Sequence, residues 1–142
     1  MILLKMELSQ DQLKLTKETL HKAQALQDVL EQEFYHLKDN NLDAFESIQD
    51  KKNLIVEYLA IHAPTVFDFA PDDDYLLKLI AELRQTVGMC KNTHTRNALL
   101  IERKLQATKG ALELFRNPQS HSVTETYDKL GKLANQIKSH YG

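Results

Sequence analysis

The chain has 142 residues, 42% of them apolar and 27% charged, with a formal net charge of −2. That size suits one domain with a sizeable core, the near-balance of charge excludes the basic excess of a nucleic-acid binder, and a single cysteine excludes an internal disulfide and fits a reducing cytoplasm. Only four glycines and three prolines interrupt the chain, so turns are few and helices long: the expected fold is all-α, an elongated antiparallel bundle of three long helices with a marginal helical tail.

The opening "MILLKMELSQ" holds too short an apolar run for a signal peptide. No stretch approaches the roughly 20 apolar residues of a membrane span, so no membrane insertion and a cytoplasmic location are expected. Periodicity begins at Ser9, an N-cap with Gln12 three residues on, in the manner of a capping box. Leu13, Thr16, Leu20, Ala23, Gln27, Leu30, Phe34 and Leu37 then recur in steps of three and four, the seam of a helix. Leu15, Leu26 and Val29 widen that stripe, which predicts two neighbours rather than one.

"KDNN" ends the first helix. Asn40 or Asn41 can adopt a left-handed turn or cap the next helix. The second helix carries Leu42, Phe45, Ile48, Ile55, Val56 and Leu59 on one face, and the short loop makes it the antiparallel mate of the first, a hairpin over 1–62. Phe34, Leu37, Leu42 and Phe45 are expected to pack where the two meet. In "HAPTVFDFAPDDD" Pro64 and Pro71 predict irregular backbone. Val66, Phe67 and Phe69 predict that part of this segment folds over a bundle end, and Asp72–Asp74 suits the start of a helix.

The third helix is predicted over 74–116. Its stripe reads Leu76, Ile80, Leu83, Val87, Cys90, His94, Ala98, Ile101, Leu105, Thr108, Leu112, Phe115, with two consecutive steps of four around His94, a stutter. At ~1.5 Å per residue it reaches roughly 60 Å against roughly 45 Å for the first helix. It therefore bends, near Gly88, or overhangs its partners, and an overhang offers a homodimer seam; the oligomeric state stays open. Beyond "RNPQSHS", residues 120–142 hold Leu130, Leu133, Ala134, Ile137 and Tyr141 at helical spacing, weakened by Gly131, and read as a marginally helical, mobile tail within the single 1–142 domain.

Two Glu-x-x-His pairs, Glu18/His21 and Glu33/His36, have the spacing that di-metal bundles take from two separate helices. Here both lie on one helix, roughly 22 Å apart along its axis, so they cannot share a metal and read as surface residues; no cofactor is expected. Cys90 lies one turn before His94. A thiolate with its base is one reading; a small buried apolar group beside a tolerated histidine is the preferred one. Without a phosphate loop, nucleophile elbow or zinc cluster, the chain is not expected to be an enzyme.

The third helix carries a further stripe: Leu100, Ala107 and Leu114 repeat at seven, with Ala111 beside them. It asks for the tail, for the first helix, or for a partner's amphipathic helix. "EQEFYHLKDNNLDAFESIQDKKNLI", "NTHTRNALLIERKL" and "TYDKLGK" resemble the FlgN-type flagellar export chaperones. That family shows an Asn-x-x-Asn-Gly-like element, a Leu/Ile pair and a Tyr-x-x-x-Gly element. Asn97, Leu99 and Leu100 match the first two, with His94 and Ala98 departing from the first where it has Asn and Gly, and Tyr127 and Gly131 match the third.

The resemblance implies a cytoplasmic chaperone that binds the C-terminal helices of hook–filament junction proteins. It would block their premature assembly and deliver them to the type III export gate. Asn97, Leu99, Leu100, Ala107, Ala111 and Leu114 would line the client groove, and Tyr127 would dock to the gate. From spacing alone, the tail stripe of Leu130, Leu133, Ala134 and Ile137 can occupy that groove in the partner's absence. A chaperone for another flagellar subunit such as the filament cap, a self-associating coiled coil and a metal-binding bundle are the alternatives.

Overall fold

A computed structural model describes residues 2–116. The fold is all-α. Helix α1 spans Ile2–Lys38, α2 Leu42–Ser47, α3 Gln49–Phe67 and α4 Asp74–Arg116. The chain divides into two compact units, Met1–Thr95 and Arg96–Gly142. Among the described residues no helix is long and apolar enough to cross a membrane. The sequence segment read as a tail, with Tyr127, Leu130, Leu133, Ile137 and the rest of 120–142, lies outside the described residues.

Helix α1 begins at Ile2, so Ser9 is an exposed residue within the helix and not its cap. The first two turns carry apolar side chains on all sides, with Ile2, Leu3, Leu4, Met6 and Leu8 exposed. From Leu13 onward the helix buries a broad face. Leu20, Ala23, Leu30 and Leu37 form one edge and Leu26, Val29 and Glu33 the other, the width expected of a helix with two neighbours. Thr16 and Thr19 are also buried; each hydroxyl donates to the carbonyl four residues back, Gln12 O and Leu15 O, both at 2.7 Å.

The turn after α1 uses both asparagines. Asn40 takes φ 57°, the left-handed region that asparagine tolerates. Asn41 N–H returns to His36 O at 2.8 Å and Asn40 N–H to Leu37 O at 3.2 Å, a Schellman closure. Asn41 then caps α2, its Oδ1 accepting from Ala44 N–H at 3.2 Å. The expected single second helix is broken at Ile48. Gln49 gives the reason: its side-chain amide donates to Phe45 O at 3.2 Å and to Glu33 Oε2 at 2.9 Å. The side chain thus takes the carbonyl that a continuous helix would bond through the Gln49 backbone. Leu42 stays exposed, contrary to the packing expected of it at the hairpin end, while Phe45 is half-buried.

Pro64 does not end α3. The helix runs on to Phe67, and Asp68 N–H still reaches Pro64 O at 3.1 Å. What a proline removes is the bond to the carbonyl four residues earlier, here on exposed Ala60, where water can serve. Ala63 and Val66 are buried, and Phe67 and Phe69 pack against the core; that burial holds the last turn. Asp73 opens α4, its Oδ1 accepting from Tyr75 N–H at 3.1 Å.

Within Met1–Thr95, α1 and α3 are antiparallel: Lys52 meets Glu33, and the Lys22 ammonium lies over the Tyr58 ring at 5.5 Å. The first half of α4 runs parallel to α1, with Cys90 against Ala23 and Thr93 against Gln27. Leu26, Val29, Leu30, Ile55, Leu59, Val66, Leu76, Ile80 and Leu83 belong to one core cluster. The Arg84 guanidinium covers that end over Phe67, 4.6 Å from the ring centre.

Candidate functional site

Helix α4 is continuous through Gly88, and a Cβ built there meets nothing within 4 Å. Its buried positions follow the expected stripe as far as Cys90 and then leave it. Thr93, Asn97 and Leu100 are buried, while His94 and Ala98 face solvent. The seam therefore steps 87, 90, 93, with two consecutive threes where a stutter of two fours was expected. Gln27 on α1 accounts for the choice: its amide donates to Thr93 Oγ1 at 3.2 Å, a partner that a small hydroxyl provides at that point. The half-buried positions Ala107, Ala111 and Leu114 continue the same register.

This shift exchanges the two stripes of the C-terminal half. Asn97 and Leu100, expected to line an open groove, are 0% and 3% exposed. Ala107, Ala111 and Leu114 are half-buried, and Leu99 alone of the expected groove residues on α4 is exposed. Leu105, Leu112 and Phe115, expected in the core, are 65%, 53% and 72% exposed. With Ala98, half-buried Ile101 and Thr108 they form one line at alternating steps of three and four. Glu102, Lys109, Glu113 and Arg116 stand exposed beside it. An apolar stripe at a/d spacing with a mixed-charge rim is the surface one amphipathic helix offers another. Tyr127, Leu130, Leu133 and Ile137 lie outside the described residues.

Neither chemical motif assembles as chemistry. Glu33 is no surface residue: its side chain is 1% exposed, with Lys52 Nζ at 2.8 Å and Gln49 Nε2 at 2.9 Å on the same oxygen. Its core position is readable from Leu26, Leu30, Glu33, Leu37, a four-three-four run. The Glu-x-x-His spacing draws attention away from it. Among the described residues, no three histidine, cysteine or carboxylate side chains cluster to hold a metal. Cys90 is buried and donates to Ala23 O at 3.4 Å. Burial pushes its thiol up to about 11, the opposite of an activated nucleophile. His94 is exposed and not lodged in the seam. No family model, no curated protein and no solved structure matches the chain.

Proposed function

We propose that the chain is a cytoplasmic flagellar export chaperone of the FlgN type. It binds the amphipathic C-terminal helix of a hook–filament junction protein, keeps that subunit from assembling early and hands it to the type III export gate. The observation that carries this reading is the exposed apolar line through Leu105, Leu112 and Phe115 on the second half of α4. Three large apolar side chains at helical spacing on one face need a cover, and their flanking charges suit a polar rim on a helical client.

The contact face is accordingly displaced from the one the resemblance implies. Leu105, Leu112 and Phe115 touch the client, with Leu99 beside them. Asn97 and Leu100 are scaffold. Tyr127 retains the gate-docking role that the resemblance gives it. No catalysis and no cofactor enter the proposal.

Calorimetric titration of the full chain with C-terminal fragments of the junction proteins tests it. Saturable binding is expected, and it should be lost in the Leu105→Asp/Leu112→Asp variant, which places charge against the client's apolar face. A folded protein that fails to bind these fragments overturns the reading. Binding of filament-cap fragments instead would reassign the client.

A further inference from the structure

The exposed line on the second half of α4 has an internal order that decides what fits it. In heptad terms Ala98, Leu105 and Leu112 stand at a, and Ile101, Thr108 and Phe115 at d. The six positions occupy about 27 Å of one continuous helix. The smallest side chain, Ala98, begins the line, the largest, Phe115, ends it, and the polar Thr108 lies beside its centre. A second helix fits well only if it sets bulk against Ala98 and Thr108 and little against Phe115.

The same stripe, run in the opposite direction, meets these demands. An antiparallel seam packs a positions against d positions. With a two-fold axis between Gln106 and Ala107, Ala98 faces the partner's Phe115, Ile101 the partner's Leu112 and Leu105 the partner's Thr108. Each layer recurs across the axis, as an isologous contact requires. No layer holds two small side chains or two aromatic ones.

Charge selects the same direction. Glu102 and Lys109 flank one side of the seam, and both are exposed. Among the described residues neither has an ion-pair partner within its own chain. In the antiparallel register Glu102 comes beside the partner's Lys109 and Lys109 beside the partner's Glu102, two opposite-charge pairs. On the other flank Lys104 meets the partner's Ala111, so no like charges are opposed. Parallel pairing fails on both counts. It sets Ala98 on the partner's Ala98, Thr108 on the partner's Thr108 and Lys104 against the partner's Lys109.

We infer that the second half of α4 pairs with the same segment of a second copy, antiparallel, about an axis between Gln106 and Ala107. Six layers on one helix make a small interface, so the dimer is weak and exchanges readily. The pairing draws on the stripe alone and does not depend on the chaperone reading. A client helix received on this face displaces the copy.

Sedimentation velocity of the full chain alone, up to about 0.5 mM to register a weak Kd, should show a reversible monomer–dimer equilibrium. Glu102→Lys and Lys109→Glu each turn both pairs into repulsions and should weaken the dimer about tenfold or more. Glu102→Lys/Lys109→Glu restores both pairs and should recover the parent's affinity, as should an equimolar mixture of the two single variants. Thr108→Leu, which fills the layers with Leu105, should strengthen the dimer about tenfold. Leu105→Asp/Leu112→Asp should stay monomeric. All these positions are exposed, so the fold is kept. A parent chain that is monomeric at every concentration overturns the pairing. So does a dimer that persists in Leu105→Asp/Leu112→Asp, that ignores the single charge reversals, or that the double reversal fails to restore. With no client in the sample, none of these outcomes bears on the binding of junction-protein fragments.

Discussion

The Glu33 carboxylate is sustained by two donors on one oxygen, and the two members of its ion pair are not equivalent. Glu33 is 1% exposed and Lys52 13%. Lysine carries its charge on a flexible stem and can extend it to water when its partner is removed; a buried carboxylate cannot. Lys52→Met should therefore cost about 3–5 kcal/mol, the range for stranding one member of a buried pair, and Glu33→Gln distinctly less. Urea unfolding measures both, with Lys51→Met as an exposed control. If Lys52→Met matches that control, the pair does not hold α3 to α1.

Cys90 gives a pH-dependent companion to that test. Its thiol sits at about 11 in the folded chain against an ordinary 9.0, because burial disfavours the thiolate. The folded value is the higher one, so the stability it contributes is complete below pH 9 and is lost as pH rises toward 11. Cys90→Ala should flatten the stability profile in that window relative to the parent. At pH 8 the native thiol should react with a disulfide reagent far more slowly than the urea-unfolded chain. Parallel profiles for parent and variant would show that the thiol is not desolvated.

At the scale of helices, pattern reading succeeds where one face meets one core and fails where a single side chain redirects the backbone. The all-α class, the wide face of α1 and the asparagine turn all follow from spacing and turn chemistry. The break at Ile48 does not, because it depends on Gln49 reaching both Phe45 O and Glu33, a contact between helices. The passage of α3 through Pro64 depends on burial of Ala63 and Val66, which outweighs one lost hydrogen bond at a solvated carbonyl. The register of α4 after Cys90 turns on Thr93 facing Gln27. The two stripes of that helix were legible as stripes; which one is covered was not, since Leu100/Ala107/Leu114 and Leu105/Leu112/Phe115 are comparably apolar.

Gly88 tests whether α4 behaves as a straight helical element. A methyl group there would meet nothing within 4 Å, so Gly88→Ala should stabilise the chain by about 0.5–1 kcal/mol through helix propensity alone. Asn40 gives the opposite sign. With φ at 57°, Asn40→Ala should cost about 1 kcal/mol and Asn40→Gly almost nothing. Thermal melts followed by circular dichroism measure all three. A destabilising Gly88→Ala would mean that the helix relies on flexibility at that position.

On the scale of the molecule, the proposed function assigns partner binding to residues other than those that hold the core, and that separation can be measured. Leu83 is fully buried within the core cluster of the first unit. Leu83→Ala should cost about 2–5 kcal/mol and lower Tm, yet leave client affinity unchanged wherever the protein remains folded. Leu105→Asp/Leu112→Asp should do the reverse. Both side chains are more than half exposed, so Tm should hold while fragment binding disappears. Leu100→Asp, at a buried position on the same helix, should resemble Leu83→Ala and not its neighbours on the stripe. Melting curves and calorimetric titrations on the same samples check the pattern. If Leu105→Asp/Leu112→Asp lowers Tm as far as Leu100→Asp does, the outer stripe is covered within the folded chain itself and is not the contact face proposed for it.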